Sequence, residues 1–135
     1  MRTSNRGGVR MIKLVYVIRK RGDVSEKEFH DYWLNRHGPL VRSFAAALRA
    51  RRYVQSHTVS EDAGRAIRST RGMTETYDGI TEVWWDSLED FGAGADPAER
   101  EKAARALLED ESKFIDFQRS SIFLTEEHEI FDLTR

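Results

Sequence analysis

Residues 12–19 constrain the fold of this chain most, because apolar side chains fall on both faces of the strand that they predict. One face would carry Ile12, Leu14, Tyr16 and Ile18, and the other would carry Val15 and Val17 between Lys13 and Arg19. A sheet that is solvated on one side shows polar residues along that side. We therefore expect this strand to be covered twice, by helices on one face and by a different layer on the other.

Composition narrows the class of protein. The chain has 135 residues, a net charge of −1 and no cysteine. A net charge near zero gives no electrostatic reason to expect binding to nucleic acid or to an anionic membrane. The lack of cysteine excludes a thiol nucleophile. No apolar run reaches the ~20 residues of a membrane span, and the start lacks the apolar centre of a signal peptide. We expect a polar tail over residues 1–10, one domain over 11–135 and a cytoplasmic location.

The segment that follows the first turn predicts a capped helix. Ser25 and Glu28 have the spacing of a capping box. His30, Trp33 and His37 then share one helical face, and Gly38-Pro39 is expected to end the helix beside His37. A histidine next to a tryptophan on a helix is commonly a packing or surface residue, so a functional role for either histidine is one of two interpretations.

The remaining segments predict the order β-α-β-β-α-β. Alternating patterns indicate strands over residues 53–59, 80–85 and 122–131, and Asp96-Pro97-Ala98-Glu99 starts a helix that runs to about residue 112 with Ala103, Ala104, Leu107 and Leu108 inward. This order predicts an α+β, ferredoxin-like domain: an antiparallel sheet with its helices on one face. No segment remains to cover the other face, so we expect a homodimer in which two sheets form a barrel.

Residues 60–78 are predicted to be a long loop between the second and third strands. Loops of this length are often lids or binding loops, and a disordered surface loop is the alternative.

Several motifs resemble those of the EthD family, within the dimeric α+β barrel superfamily. They are Phe29-His30-x-Tyr32-Trp33-x-x-x-His37-Gly38-Pro39-Leu40, Arg52-Tyr53-Val54-Gln55-x-His57, the run of residues 77–84 and Glu126-Glu127-His128. The likeness extends over residues 11–131. It implies a homodimer with a pocket between sheet and helices or between the two sheets. Relatives in the superfamily include cofactor-free monooxygenases, cyclases, isomerases, dehydratases and decarboxylases, so the fold does not select one reaction.

The polar residues of the predicted strands and helix suggest acid–base chemistry. We predict His37, His57 and Glu82 as catalytic residues, since a neutral histidine beside a carboxylate can take a proton from a phenol or from carbon next to a carbonyl. Glu82 on an edge strand facing solvent is the alternative. The predicted substrate-binding residues are Tyr16, His30, Trp33, Trp84 and His128, whose tryptophans suit a flat aromatic molecule.

This pattern leaves more than one function open. The first hypothesis is a small enzyme without cofactor or metal that acts on a small aromatic, polyketide-like or lactone substrate. The second is a non-catalytic ligand-binding or accessory subunit of an oxidative degradation system. Two histidines and Glu82 would also suit a non-haem iron, and a haem with an axial histidine is a further alternative, although no compact ligand motif favours either.

Overall fold

The computed structural model describes residues 11–59, 61–93 and 96–134, so the predicted tail over residues 1–10 lies outside the described part. Four strands form one sheet in the order β2-β3-β1-β4, and all neighbouring pairs are antiparallel. The strands are β1 Ile12–Ile18, β2 Arg52–His57, β3 Gly79–Trp85 and β4 Ser121–Thr125. This is the predicted α+β, ferredoxin-like arrangement.

Helical segments connect the strands. They are α1 Glu26–Tyr32, a π-helix at Trp33–His37, α2 Gly38–Ser43, α3 Ala45–Leu48, α4 Glu61–Ser69, α5 Leu88–Ala93, α6 Pro97–Glu111 and a 3₁₀ turn at Phe117–Arg119. The capping box before α1 is confirmed: the Glu28 amide donates to Ser25 Oγ, and the Ser25 amide donates to Glu28 Oε1. Asp96 caps α6 as predicted, by accepting from the amides of Ala98 and Glu99.

The strand register defines two faces of the sheet. Tyr16 pairs with Thr81 and with Ile122, and Gln55 also pairs with Thr81, so these four residues form one row across the sheet. This row lies on the inner face, which packs against the helices. The next row, Val54, Glu82, Val15 and Phe123, lies on the outer face, and Phe123 is 47% exposed.

The core lies between the inner face and the α1–π-helix segment. Its largest fully buried side chains are Trp33, Phe29, Phe114 and Ile18. The aromatic ring of Phe29 contacts the rings of Trp33 and Phe114 at centroid distances of 5.3 and 5.8 Å. This packing fixes the helical segment that carries His37 against the sheet.

Three predicted elements differ from the structure. The connection over residues 60–78 contains helix α4, whose first turn is acidic and whose Arg65 pairs with Asp62 at 2.9 Å. The pattern missed this helix because it has no buried residue. The last strand ends at Thr125 instead of residue 131, because the following acidic residues lie in exposed, irregular chain.

Gly38-Pro39 does not break the helix, which is the third difference. The Gly38 amide donates to the Trp33 carbonyl five residues back, and Pro39 then occupies the first turn of α2. Proline is tolerated there because the amides of a first helical turn need no intrahelical partner. The chain therefore continues as a π-helix, and His37 is buried within it.

Within the part of the chain that the structure describes, no helix has both the length and the apolar character needed to cross a bilayer.

Candidate active site

A cavity of about 280 Å³ lies between the inner face of the sheet and the helices. Most of its wall is apolar, with Trp33, Trp85 and Phe91 as aromatic residues. Its polar wall residues come from three strands and two helical segments: Tyr16, Tyr53, Thr81, His37 and Glu111. A mostly apolar pocket with a few converging polar groups is the usual form of a small-molecule site.

The π-helix positions His37 in this wall. His37 is 4% exposed, and its ring contacts the Phe114 ring at 5.1 Å. A residue of another element stabilises the π-helix: Gln55 Nε2, on β2, donates to the Trp33 carbonyl at 2.8 Å. Single π-helical turns recur at functional sites, where they redirect a side chain out of the regular helical pattern.

Asp110, near the end of α6, orients His37. Its Oδ2 atom lies 2.7 Å from His37 Nδ1, and Tyr32 donates its hydroxyl to Oδ1 at 2.5 Å. Burial would raise the pKa of Asp110, but the hydrogen bonds from Tyr32 and His37 outweigh that effect and hold the pKa below its ordinary value. The carboxylate therefore accepts the Nδ1 proton of His37 and leaves Nε2 as the proton-accepting nitrogen.

Burial lowers the pKa of His37, and the bond to Asp110 opposes this shift only in part. His37 is thus neutral at pH 7, as a general base must be before it accepts a proton. An imidazolium formed during a reaction would be stabilised by the adjacent Asp110 carboxylate.

Glu111 is the second carboxyl group of the site. Its Oε2 lies 3.9 Å from His37 Nε2, and its Oε1 accepts a hydrogen bond from the Tyr16 hydroxyl at 3.0 Å. Burial raises the pKa of Glu111 to about 7, and the Asp110 charge adds to this rise while the Tyr16 hydrogen bond opposes it. Burial likewise raises the pKa of Tyr16, which stays a neutral donor.

Asp110 and Glu111 therefore differ in role although they are neighbours in the chain. Asp110 is an ionised group hydrogen-bonded to His37, and Glu111 is held close to its protonated form by burial, with a pKa of about 7. In active sites, two nearby titratable groups commonly take separate acid and base roles because their surroundings shift their pKa values in opposite directions.

His57 and His30 lie beside this site. Among the described residues the cavity wall includes neither of them, although His57 stacks on Trp33 with a centroid distance of 4.3 Å. Gln55 Oε1 must accept from His57 Nε2–H at 2.8 Å, since Gln55 Nε2 already donates to the Trp33 carbonyl. His57 Nδ1 then accepts from His30 Nδ1–H at 2.7 Å. These bonds position the Trp33 ring and carbonyl.

The predicted convergence of Glu82 and Trp84 on the histidines is not found. Both residues lie on the outer face of the sheet, because their side chains alternate with those of Thr81, Val83 and Trp85 along β3. Glu82 pairs there with Lys13 at 2.8 Å, and Trp84 Nε1 donates to Glu127 at 2.8 Å. His128 is also remote from the cavity, with 70% of its side chain exposed.

The iron alternative needed His37, His57 and Glu82 to meet around one ion. Glu82 is separated from the histidines by the sheet, and no three histidine or carboxylate side chains of the described residues are placed to share a metal.

Three of the predicted site residues line the cavity: Tyr16, Trp33 and His37.

Sequence reasoning missed Asp110 and Glu111. A signal existed, because both acids follow the apolar residues of α6 at helical spacing: Asp110 is three residues beyond Leu107, and Glu111 is three beyond Leu108. The predicted inward position of Leu108 is wrong in part, since Leu108 lines the cavity but is 58% exposed. Two acids on an apolar helix face need partners or a proton. Here the partners are Tyr32, His37 and Tyr16.

The fold and this site define a class: α+β proteins with a ferredoxin-like sheet and a cavity between sheet and helices. The chain belongs to the EthD family, since the model of the EthD domain matches residues 21–118. No curated protein matches the chain.

Solved structures with a similar fold include an EthD family protein of Bacillus halodurans. It is 18% identical with a TM-score of 0.59, and the match covers 87% of this chain and 99% of the other. A dimeric protein of unknown function with a ferredoxin-like fold, from Bacteroides fragilis, is 15% identical with a TM-score of 0.55, covering 87% and 96%. An EthD-like protein of Ralstonia eutropha is 16% identical with a TM-score of 0.52, covering 93% and 96%.

Proposed function

We propose that this protein is an enzyme that moves protons on a small aromatic, polyketide-like or lactone substrate without a cofactor. The observation that carries the proposal is the pair of carboxyl groups on α6. Asp110 holds His37 in the tautomer whose Nε2 can accept a proton, and Glu111 stands 3.9 Å from that atom with a pKa of about 7.

The reaction step follows from these groups. His37 Nε2 takes a proton from a carbon next to a substrate carbonyl, which leaves an enolate and an imidazolium paired with Asp110. Glu111, in its protonated form, donates to the enolate at its oxygen or at another carbon. The proton on His37 returns to Glu111 through a bridging water, since 3.9 Å is too long for a direct hydrogen bond. No electrons are gained or lost.

Deuterium exchange tests this proposal without knowledge of the natural substrate. A panel of neutral aromatic ketones, phenols and lactones is incubated with the protein in D₂O, and deuterium incorporation is measured by mass spectrometry. We expect wild-type protein to exchange protons next to the carbonyl of a panel member. His37→Gln should slow exchange by roughly 10²–10⁴-fold, the usual worth of a general base.

Glu101→Gln is the matched control, because Glu101 is an exposed acid on the same helix whose partner is Arg105. It should exchange like wild type. Binding of panel members with no exchange by any protein would contradict catalysis and would favour the non-catalytic, ligand-binding function instead.

We also propose that the working form is a homodimer joined through the outer sheet face. Two solved structures of this fold, from Bacteroides fragilis and Thermobifida fusca, are described as dimeric proteins. In this chain the outer face carries Val15, Val17, Val54, Ile80 and Phe123, none of which is buried. A second sheet would cover these residues.

A further inference from the structure

The hydroxyl group of Tyr53, in the cavity wall, is surrounded by hydrogen-bonding side chains. Gln55 Nε2 donates to its oxygen at 2.9 Å, and the side chains of Trp33 and Thr81 are its other hydrogen-bonding neighbours. Burial raises the pKa of Tyr53, and the charge of Glu111 adds to this rise, so the hydroxyl keeps its proton at neutral pH. The direction of each bond decides which hydrogen is left for a ligand.

The orientation of the Gln55 amide is fixed by its other bonds. Its Nε2 donates to the Trp33 carbonyl, while its Oε1 accepts from His57 Nε2. The second hydrogen of Nε2 therefore points at the Tyr53 oxygen, which acts as the acceptor. The Trp33 indole can only donate, so it also directs a hydrogen at this oxygen. These two donors take up the acceptor capacity of the Tyr53 hydroxyl.

Thr81 is then the acceptor for the hydroxyl hydrogen of Tyr53. Among the described side chains hydrogen-bonded to Tyr53, Thr81 is the one that can accept as well as donate. Once it accepts from Tyr53, the Thr81 hydroxyl has a hydrogen of its own to donate, and the described residues offer that hydrogen no further acceptor. Thr81 lines the cavity and keeps 6% of its surface accessible. Its hydroxyl hydrogen is therefore available to a molecule in the cavity.

Thr81 lies next to the acid–base groups of the site. It is paired with Tyr16 across β1 and β3, and Tyr16 donates its hydroxyl to Glu111. Side chains directly opposite each other on neighbouring antiparallel strands have Cβ atoms only about 5 Å apart. The Thr81 hydroxyl and the pair formed by His37 and Glu111 thus border the same cavity.

The charge of the wall selects the kind of acceptor. Among the described lining residues there is no lysine or arginine, and the ionisable groups that line the cavity are His37, Glu111 and tyrosines. A carboxylate or phosphate here would lose its hydration without gaining a cation, and ionised Glu111 would repel it. The carbonyl oxygen of a ketone or lactone carries no net charge and needs only a donor.

We infer that the cavity binds a neutral ligand whose carbonyl oxygen accepts a hydrogen bond from Thr81 Oγ1. The inference rests on the proposed function, since it assigns the group that the same site holds. Tyr53 is a positioning residue, because its donation to Thr81 polarises the hydroxyl that contacts the ligand. When His37 removes a proton next to that carbonyl, negative charge develops on the oxygen, and the bond from Thr81 strengthens.

Three bicyclic probes of similar shape test this assignment: 1-indanone, indane-1-carboxylate and indane. Dissociation constants are measured by NMR titration of the full chain at pH 7.5. We expect the ketone to bind at least about tenfold more tightly than the carboxylate. Thr81→Val keeps the shape of the side chain without its hydroxyl. It should weaken ketone binding about three- to tenfold, the worth of one hydrogen bond, and leave indane binding unchanged.

Two further variants serve as comparisons. Thr81→Ser keeps a hydroxyl at this position and should retain the wild-type preference for 1-indanone over indane. Thr125→Val is the control, because it removes a β4 hydroxyl that donates to the Lys13 carbonyl at 3.0 Å and is absent from the described cavity wall. It should leave all three dissociation constants as in wild type.

Several outcomes would overturn the inference. They are an equal loss of ketone and indane affinity in Thr81→Val, a Thr81→Ser variant that behaves like Thr81→Val, a carboxylate that binds as tightly as the ketone, and a ketone that fails to bind at roughly 5 mM.

The carbonyl stretch of bound 1-indanone tests the bond in unmodified protein, which covers the case in which Thr81→Val does not fold. The ketone is labelled with ¹³C at its carbonyl and followed by infrared difference spectroscopy. The stretch should lie at lower frequency in wild type than in hexane, and Thr81→Val should raise it. A wild-type stretch at the hexane position would overturn the inference. Ketone binding that depends on the Thr81 hydroxyl but gives no deuterium exchange would overturn only the proposed catalysis.

Discussion

At the scale of single residues, the site depends on two neighbouring acids with opposite surroundings. Asp110 receives hydrogen bonds from Tyr32 and His37, whereas Glu111 faces the apolar cavity with one hydrogen bond from Tyr16. Hydrogen bonds to the charged form lower a carboxyl pKa, and burial raises it. Two carboxyl groups on adjacent residues therefore differ: Asp110 is ionised, whereas Glu111 can carry a proton.

The raised pKa of Glu111 predicts a pH-dependent stability difference. The folded state favours the protonated acid, with a pKa of about 7 against an ordinary value of 4.5, so the Glu111 contribution to stability falls as pH rises from about 4.5 to 7. Glu111→Gln has no such loss. Its stability relative to wild type should therefore increase by about 2–3 kcal/mol between pH 5 and pH 8.

Urea unfolding at the two pH values measures this difference, and Glu101→Gln serves as the exposed control. If the Glu111→Gln and wild-type stabilities change in parallel with pH, the pKa of Glu111 is not raised. The His37 effect is distinct in sign, because its lowered pKa makes folding less favourable as pH falls below about 6.5.

At the scale of secondary structure, the first residue of β3 supports the π-helix. Gly79 lies under the Trp33 ring, and an added Cβ would also lie 2.7 Å from the Ser56 carbonyl oxygen. Neither the ring nor the backbone of β2 can move away without disturbing the sheet or the cavity wall. Close approach of helix and sheet at this point requires glycine.

Gly79→Ala should therefore destabilise the protein by about 3 kcal/mol through overpacking. Gly22→Ala, in a turn where an added Cβ meets nothing within 4 Å, should change stability by less than about 0.5 kcal/mol. Thermal or urea unfolding of the two variants compares them directly. Equal effects would show that the contact of Gly79 with Trp33 does not limit packing.

At the scale of the whole molecule, the outer face of the sheet is only partly covered: Val15, Val17, Val54 and Ile80 are half-buried, and Glu127 bonds to Lys13 and Trp84 on this face. The outer face combines apolar residues with the Lys13–Glu82 ion pair, and Arg52 lies over the Trp84 ring at 4.4 Å. The apolar residues between these charged groups stay partly exposed, and such residues are covered when a sheet face forms an interface. A second copy related by twofold symmetry would present the same residues to it.

Phe123→Glu tests the interface, because it introduces a charge at the outer face. We expect wild type to sediment as a dimer and Phe123→Glu as a monomer in analytical ultracentrifugation at micromolar concentration. Leu34→Glu is the control, since Leu34 is a 56% exposed apolar residue on the helical layer. Sedimentation of wild type as a monomer would contradict the proposed dimer.

Local sequence patterns were enough to predict the four strands, the starts of α1 and α6 and the class of the sheet. The capping box at Ser25, the Asp96 cap of α6 and the strand alternation depend on residues within a few positions of each other, so a single sequence reveals them. Helix α4 was missed because it is mostly polar and buries no residue, and the π-helix was missed because it depends on Gln55 from another element.

Which polar residues meet in the site depends instead on how the helices and strands pack together. Alternation along one strand shows which side chains share a face, but it does not show whether the Glu82 face of β3 coincides with the Tyr16 face of β1. The register of the sheet separates those two residues, and the packing of α6 brings Asp110 to His37 across 73 positions of sequence. Such contacts depend on how whole elements pack, which no local pattern records.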